Sequence, residues 1–218
     1  MIPGEIIAEG SHTASANVMR VDDKLYSTRV GLAEFGKDGV RVIPLAGPYI
    51  PRIDDVVVGK IIEYSTFGWD VDIHSCFQAF LPAQNVFGRE YSPANDILTR
   101  KFDIGDMLAA KIASFDRTRD PLLNVSDNGL GKIPQGEIIK IGPTKVPRVI
   151  GKKGSMIKLI EAGSGTQLSI GQNGIVVAVG SPEHVLKAIE AIRLVERDAH
   201  VADLTEKVQA LFNGPQEG

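Results

Sequence analysis

Two glycines three positions apart, Gly151 and Gly154, enclose Lys152 and Lys153 and lie between short apolar stretches, Val149-Ile150 and Met156-Ile157. Each residue type suits one task. Glycine has no Cβ and lets another backbone approach closely. Lysine neutralises phosphate, and the free amides at the start of a following helix add donors. The local charge agrees, because residues 138–160 hold six basic side chains (Lys140, Lys145, Arg148, Lys152, Lys153, Lys158) and no acidic one. The chemistry this points to is a loop that grips a phosphate backbone without reading bases. The same letters also fit a helix–turn–helix corner with solvated lysines, so the elements around the loop must decide.

Related phosphate motifs do not fit. A P-loop needs glycine where Val146 stands and Ser or Thr where Lys153 stands. The glycine pair Gly163 and Gly165 lacks its third member, with Leu168 in that place. A second candidate lies in Thr66-Phe67-Gly68-Trp69-Asp70-Val71-Asp72-Ile73. Exposed aromatics there would stack on bases. Strict alternation instead puts Phe67, Trp69, Val71 and Ile73 on one interior face, unless a bulge at Gly68 turns Phe67 outward. Asp70 and Asp72 share the other face and read as solvated, with no third metal ligand beside them. The loop Asp116-Arg117-Thr118-Arg119-Asp120 offers two arginines to phosphate, or a set of charges that balance one another. Cys76 and the scattered His12, His74, His184 and His200 form no nucleophilic or metal-binding constellation. The expected catalytic and metal residues are none, and no cofactor is called for.

The elements that must position these residues fall into three blocks within 218 residues. Residues 1–53 read as an all-β domain, with strands over Glu5–Ala8, Leu25–Val30 and Val40–Pro44 and turn signals at Gly36 and Asp38-Gly39. Residues 54–128 read as a five-stranded OB-type β-barrel, with strands over Val56–Tyr64, Gly68–Ile73, Ala79–Leu81, Met107–Phe115 and Leu122–Val125. Residues 129–212 alternate β and α. A strand over Glu137–Ile141 leads to a short helix ending at Ile150, the glycine loop, and a helix from Ser155 to Glu161. Strands Gln167–Ile170 and Ile175–Val179 follow, joined by a Gly171-Gln172-Asn173-Gly174 turn. Ser181 and Pro182 then open a helix that buries Val185, Leu186, Ile189, Ile192 and Val195. Val201, Leu204, Val208 and Leu211 suggest one more helix, and residues 213–218 a flexible tail.

Composition narrows the function class. The apolar fraction of 43% and charged fraction of 23% are those of a folded protein. A net charge of −3 excludes a uniformly basic binder, so any nucleic-acid site is a local patch. The barrel works against such a patch, since residues 54–126 carry 11 acidic and 7 basic side chains. One cysteine excludes an internal disulfide. The first residues show no basic segment followed by a long apolar run, and no apolar stretch is long enough to span a bilayer, so a cytoplasmic protein without membrane contact is expected.

The β-α-GxxG-α-β-β-α order resembles a KH domain, whose loop clamps about four nucleotides of a single strand. The barrel pattern Val57-Val58-Gly59-Lys60-Ile61-Ile62, Phe67-Gly68 and Gly105-Asp106-Met107-Leu108-Ala109-Ala110-Lys111-Ile112 resembles an S1-type OB fold. With Pro3-Gly4-Glu5, Pro44-Leu45 and Tyr49-Ile50-Pro51-Arg52, nearly the whole chain resembles the RNA-binding cap subunits of the exosome, the ribosomal RNA-processing protein four type, and the archaeal ones in particular. The resemblance implies a non-catalytic subunit that binds single-stranded RNA. Three copies would sit on a hexameric ribonuclease-PH-like ring, the N-terminal domain docking on it. The barrels would surround the pore through which RNA passes to 3′-to-5′ degradation. Barrels of this type usually carry an aromatic where Asp70 stands and a histidine near Pro82, so backbone contact through Lys111, Arg117 or Arg119, with Phe67 beside them, is what the resemblance implies here. An S1-plus-KH transcription or translation factor is the alternative. Polynucleotide phosphorylase carries both modules in the reverse order, attached to catalytic domains.

Overall fold

The computed structural model describes residues 1–88, 91–93, 96–199, 201 and 203–213. His200 and the part of the expected tail from residue 214 onward lie outside the described residues. The chain forms two compact units, Met1–Gly47 and Pro48–Gly218.

The first unit is all β. Strands β1 (Ile6–Glu9), β2 (Val18–Val21) and β3 (Lys24–Ser27) form an antiparallel sheet in the order β1-β3-β2. Strands β4 (Gly31–Gly36) and β5 (Gly39–Pro44) form a hairpin in which Gly36 faces Gly39 across a two-residue turn. Leu25, Val40 and Val42 are its buried core. The strand expected over Leu25–Val30 stops at Ser27, because the Ser27 hydroxyl donates to the Arg29 carbonyl at 2.6 Å and bends the chain there.

The second unit begins with the barrel. Strands β6 (Val56–Ser65), β7 (Gly68–Asp72), β8 (Ala79–Pro82), β9 (Met107–Ser114) and β10 (Leu122–Asn124) close on themselves: β6 pairs β7 and β9, β7 pairs β8, and β10 pairs both β8 and β9. A short helix α1 (Gln84–Phe87) follows β8. The alternation seen at Trp69, Val71 and Ile73 points them into the interior, where Val57, Ile61, Leu81, Leu108, Ala110, Ile112 and Leu123 join them, and Tyr49 belongs to the same core. The Trp69 indole N–H donates to the Phe102 carbonyl at 3.0 Å, so its polar atom is satisfied inside. Gly68 lets β7 press against β8, since a Cβ there would lie 2.2 Å from the Leu81 carbonyl oxygen. Strand β11 (Gly131–Ile133), which the sequence pattern does not reveal, pairs with the outer edge of β9.

The remainder is the α+β module. Strands β12 (Glu137–Lys140), β13 (Gln167–Ile170) and β14 (Ile175–Val179) form an antiparallel sheet in the order β12-β14-β13. Helices α2 (Val146–Ile150), α3 (Ser155–Ser164), α4 (Pro182–Arg197) and α5 (Leu204–Asn213) complete it, and the four helices share one core with the sheet. The Ser181 hydroxyl accepts from the His184 amide at 3.5 Å, and Pro182 starts α4. The buried stripe of α4 is Val185, Ala188, Ala191, Ile192 and Val195, whereas Leu186, expected inside, is 61% exposed. Three- and four-residue steps from Val185 reach the alanines, and Leu186 stands about 100° away around the helix. Helix α5 buries Leu204 and Val208 and lays Phe212 on Gly163, where any Cβ would lie 2.2 Å from the ring. Val201 precedes this helix and Leu211 is exposed on it. None of the helices among the described residues is long and apolar enough to cross a membrane.

The turn between β13 and β14 inserts into the barrel. Asn173 is fully buried there. Its Nδ2 donates to the carbonyls of Val58 at 2.7 Å and Ile73 at 2.8 Å, and its Oδ1 accepts from the Val58 amide at 3.2 Å. The Gln172 amide donates to the Val56 carbonyl at 2.8 Å. Gly171 must be glycine, because a Cβ would lie 2.4 Å from the Val58 nitrogen. Val58, Ala109 and Ile133 of the barrel side meet Ile175 and Val177 around this contact. Replacing Asn173 by Ala leaves three buried main-chain groups without partners, at about 1–3 kcal/mol for each group that water does not reach. Asn173→Ala is therefore expected to lower the urea unfolding midpoint by the equivalent of roughly 2–4 kcal/mol. An unchanged midpoint would show that the carboxamide does not hold the two modules together.

Candidate nucleic-acid interface

The glycine loop is built by two short helices anchored from below. Helix α2 buries Val146 and Val149, and α3 buries Met156 and Ile160. Between them the backbone makes a turn that ordinary residues resist. Gly151 has φ +74° and ψ 175°, a region that glycine occupies almost alone. A Cβ there would also lie 2.7 Å from both the Cβ and the amide nitrogen of Met156. Lys153 (φ +54°, ψ 30°) and Gly154 (φ +77°, ψ 17°) are both left-handed, and the Gly154 amide donates to the Gly151 carbonyl at 3.2 Å. The turn projects Lys152 and Lys153 into solvent. No side chain caps α3 and no acidic residue stands in its first turn, so its leading amides and positive dipole end remain available to an anion.

Arg148 on α2 and Lys158 on α3 are exposed beside the loop. Among the described residues, none of Arg148, Lys152, Lys153 and Lys158 enters an ion pair. Six of the expected site residues thus lie together on one module: Arg148, Gly151, Lys152, Lys153, Gly154 and Lys158.

The other four lie on the barrel. Phe67 is 74% exposed in the two-residue turn between β6 and β7. It faces outward because it precedes β7, whose inward alternation starts at Trp69; the register shift of β6 against β7 lies at Ile61–Glu63 and not at Gly68. Lys111 is held by Asp54 at 2.9 Å and Asp127 at 3.7 Å. The hydrogen bond to Asp54, reinforced by its charge, raises the Lys111 pKa. Arg117 (φ +68°) and Arg119 are exposed in the β9–β10 loop. That loop is folded by Asp116, whose Oδ1 accepts from the Thr118 amide at 2.9 Å, its hydroxyl at 2.8 Å and the Arg119 amide at 3.2 Å. Those bonds, Thr118 first, hold the Asp116 carboxyl below its usual range.

The paired aspartates on β7 have different surroundings. Asp72 Oδ1 accepts from the His74 amide at 2.7 Å. Asp70 stands directly across from Glu63, and among the described residues no three His, Cys, Asp or Glu side chains gather into a metal-binding group. Cys76 is exposed. Two long-range contacts have little signal in the sequence. Asn173 looked like an ordinary turn residue; its position between Gly171 and Gly174 was the only signal. Glu196 on α4, which no sequence motif marks, reaches the strand end that leads into α2.

Comparison with known proteins agrees with this geometry. The KH domain model matches residues 136–194, and the model described as the exosome RNA binding protein RRP4 N-terminal domain matches residues 1–46. The exosome complex component Rrp4 of Nitrosopumilus maritimus is 49% identical over 214 residues, which is 98% of this chain and 95% of that protein. The corresponding components of Thermofilum pendens and Saccharolobus solfataricus are 41% and 39% identical, over 95% and 96% of this chain and 89% and 85% of theirs. A solved structure assigned as an exosome complex RNA-binding protein has a TM-score of 0.68 at 36% identity, covering 77% of this chain and 96% of that one.

Two outcomes follow from the local geometry. Gly154→Ala meets only Ile157, at 3.7 Å, so it carries the left-handed penalty of about 1–2 kcal/mol alone, whereas Gly151→Ala adds overlap with Met156 and is expected to cost more in urea unfolding. Equal costs would contradict the asymmetry. Burial, then the charges of Glu63 and Asp120, raise the Asp70 pKa. Folding therefore favours its proton: the stabilising effect is complete below the ordinary carboxylate pKa and is lost as pH rises through the folded value. Asp70→Asn is expected to raise the melting temperature at neutral pH and to leave it unchanged near pH ~3, where both states are protonated. A lower melting temperature at neutral pH would reverse the sign.

Proposed function

This chain belongs to the Rrp4 family of exosome components, and on that premise we propose that it is a non-catalytic RNA-binding subunit that brings single-stranded RNA to a degrading ring. The observation that carries the reading is the exposed cationic turn at 151–154, without an ion pair among the described residues, and with Arg148 and Lys158 beside it. Such a turn grips phosphates through charge and main-chain amides and leaves base identity unread. Arg117, Arg119 and Phe67 extend the contact onto the barrel, and Lys111 contributes least because Asp54 and Asp127 already neutralise it.

In this reading residues 1–53 dock on a hexameric ribonuclease-PH-like ring, residues 54–128 face the pore and residues 129–212 capture RNA. Three copies cap one ring in the cytoplasm, and the ring subunits perform the 3′-to-5′ chemistry. The N-terminal match over residues 1–46 favours this over a free-standing S1-plus-KH factor.

The test is charge reversal at the loop. Lys152→Asp combined with Lys153→Asp is expected to leave the fold intact, since both side chains are exposed. Affinity is expected to fall about equally for RNAs of different sequence. Each lost single-strand phosphate contact removes about 0.7 from the slope of log K against log salt, so the slope is expected to flatten by about 1.4. Titration at several salt concentrations reads both quantities. Unchanged affinity and slope would place the RNA elsewhere on the chain.

A further inference from the structure

We infer that Glu196, working with Arg193, is the positioning residue of the 151–154 loop, holding in place the strand end from which that loop is hung. Strand β12 ends at Lys140, and the Ile141 amide still bonds to Gly174 on the neighbouring strand segment. One residue further the chain leaves the sheet. There the Gly142 amide donates to Glu196 Oε1 at 2.9 Å. The other carboxylate oxygen, Oε2, accepts from Arg193 Nη1 at 2.7 Å, and the same Nη1 donates to the Lys140 carbonyl at 2.9 Å. Two side chains one turn apart on α4 thus hold the main chain on both sides of the break.

The loop depends on that hold. Helix α2 has five residues and no side-chain cap, too short to be stable by itself. Its position is set from outside: by Val146 and Val149 in the core, and by the segment that begins at Gly142. Moving Gly142 moves the start of α2, and with it Arg148 and the lysines of the turn. A phosphate clamp loses affinity when its donors shift by a fraction of an ångström, because hydrogen bonds weaken steeply with geometry.

The inference rests on the reading of 151–154 as an RNA clamp, and its sign separates it from plain electrostatics. Glu196 is an acidic side chain on the RNA-capturing module, so by charge alone its removal tightens RNA binding. Positioning predicts the reverse for Glu196→Ala and a rescue by Glu196→Gln, whose carboxamide oxygen still accepts from Gly142.

The experiment uses the full chain and a short fluorescent single-stranded RNA, with amide hydrogen exchange at Gly142 as the second readout. Glu196→Ala is expected to bind RNA about three- to tenfold more weakly with faster Gly142 exchange, the size of a partly transmitted charged hydrogen bond. Glu196→Gln is expected to keep Gly142 protected and to bind at least as tightly as the parent. RNA binding by Glu196→Ala that equals or exceeds the parent overturns the inference, as does unchanged Gly142 exchange. Should the alanine variant fail to fold, Glu196→Gln decides: lost protection at Gly142 with parental RNA binding, or weakened binding with Gly142 still protected, overturns the inference. The Lys152→Asp, Lys153→Asp chain run alongside keeps the two claims apart. Weak binding there with parental binding in Glu196→Ala overturns only the positioning role, and parental binding in both overturns the RNA clamp as well.

Discussion

A buried main-chain polar group must find a partner, and at the junction of barrel and KH module one side chain supplies three of them. Asn173 satisfies both the amide and the carbonyl of Val58 and the carbonyl of Ile73 from a turn that belongs to the other module. Because the partners are backbone atoms of the β6 and β7 region, the contact fixes the position of the barrel strands themselves and not of a mobile side chain. The apolar group of Val58, Ala109, Ile133, Ile175 and Val177 then excludes water around it. The KH sheet, the helices packed on it and the glycine loop between α2 and α3 are therefore carried at a set place relative to the barrel.

That rigidity gives the charge distribution its meaning. The chain is acidic overall, at −3, and its barrel segment 54–126 is acidic too, with 11 acidic against 7 basic side chains. Such a molecule repels a phosphate backbone on average, and residues 138–160 depart from that average with six cations and no anion. Lys111 is paired with Asp54 and Asp127, and Lys132 on β11 with Asp106. Arg148, Lys152, Lys153 and Lys158 have no such partner among the described residues, so four cations without an ion pair stand around the loop.

Periodic patterns made the fold readable in advance. Alternation over Trp69–Ile73 marked the barrel interior, and the Ser181-Pro182 start marked α4. The family resemblance drawn from those patterns and from the glycine loop is the one the comparisons support. What stayed hidden depends on contacts between distant segments. Strand β11 has only three residues and is a strand because β9 lies beside it. Leu186 looks like a core residue by composition, but the closeness of α4 to its neighbours selects Ala188 and Ala191 instead. Phe67 could not be placed by alternation because it sits in a turn, where the period of two does not run. The glycine loop was legible because its chemistry is local. The partners of Asn173 are 100 and 115 residues away and those of Glu196 include one 54 residues away, and no local pattern announces either.

The most direct measurement is gel filtration of the full chain mixed with a purified hexameric ribonuclease-PH-like ring and a labelled single-stranded RNA. The account predicts one peak larger than the ring that contains chain, ring and RNA, with the RNA missing from that peak when the chain is left out. A chain that elutes with the RNA but apart from the ring would contradict it.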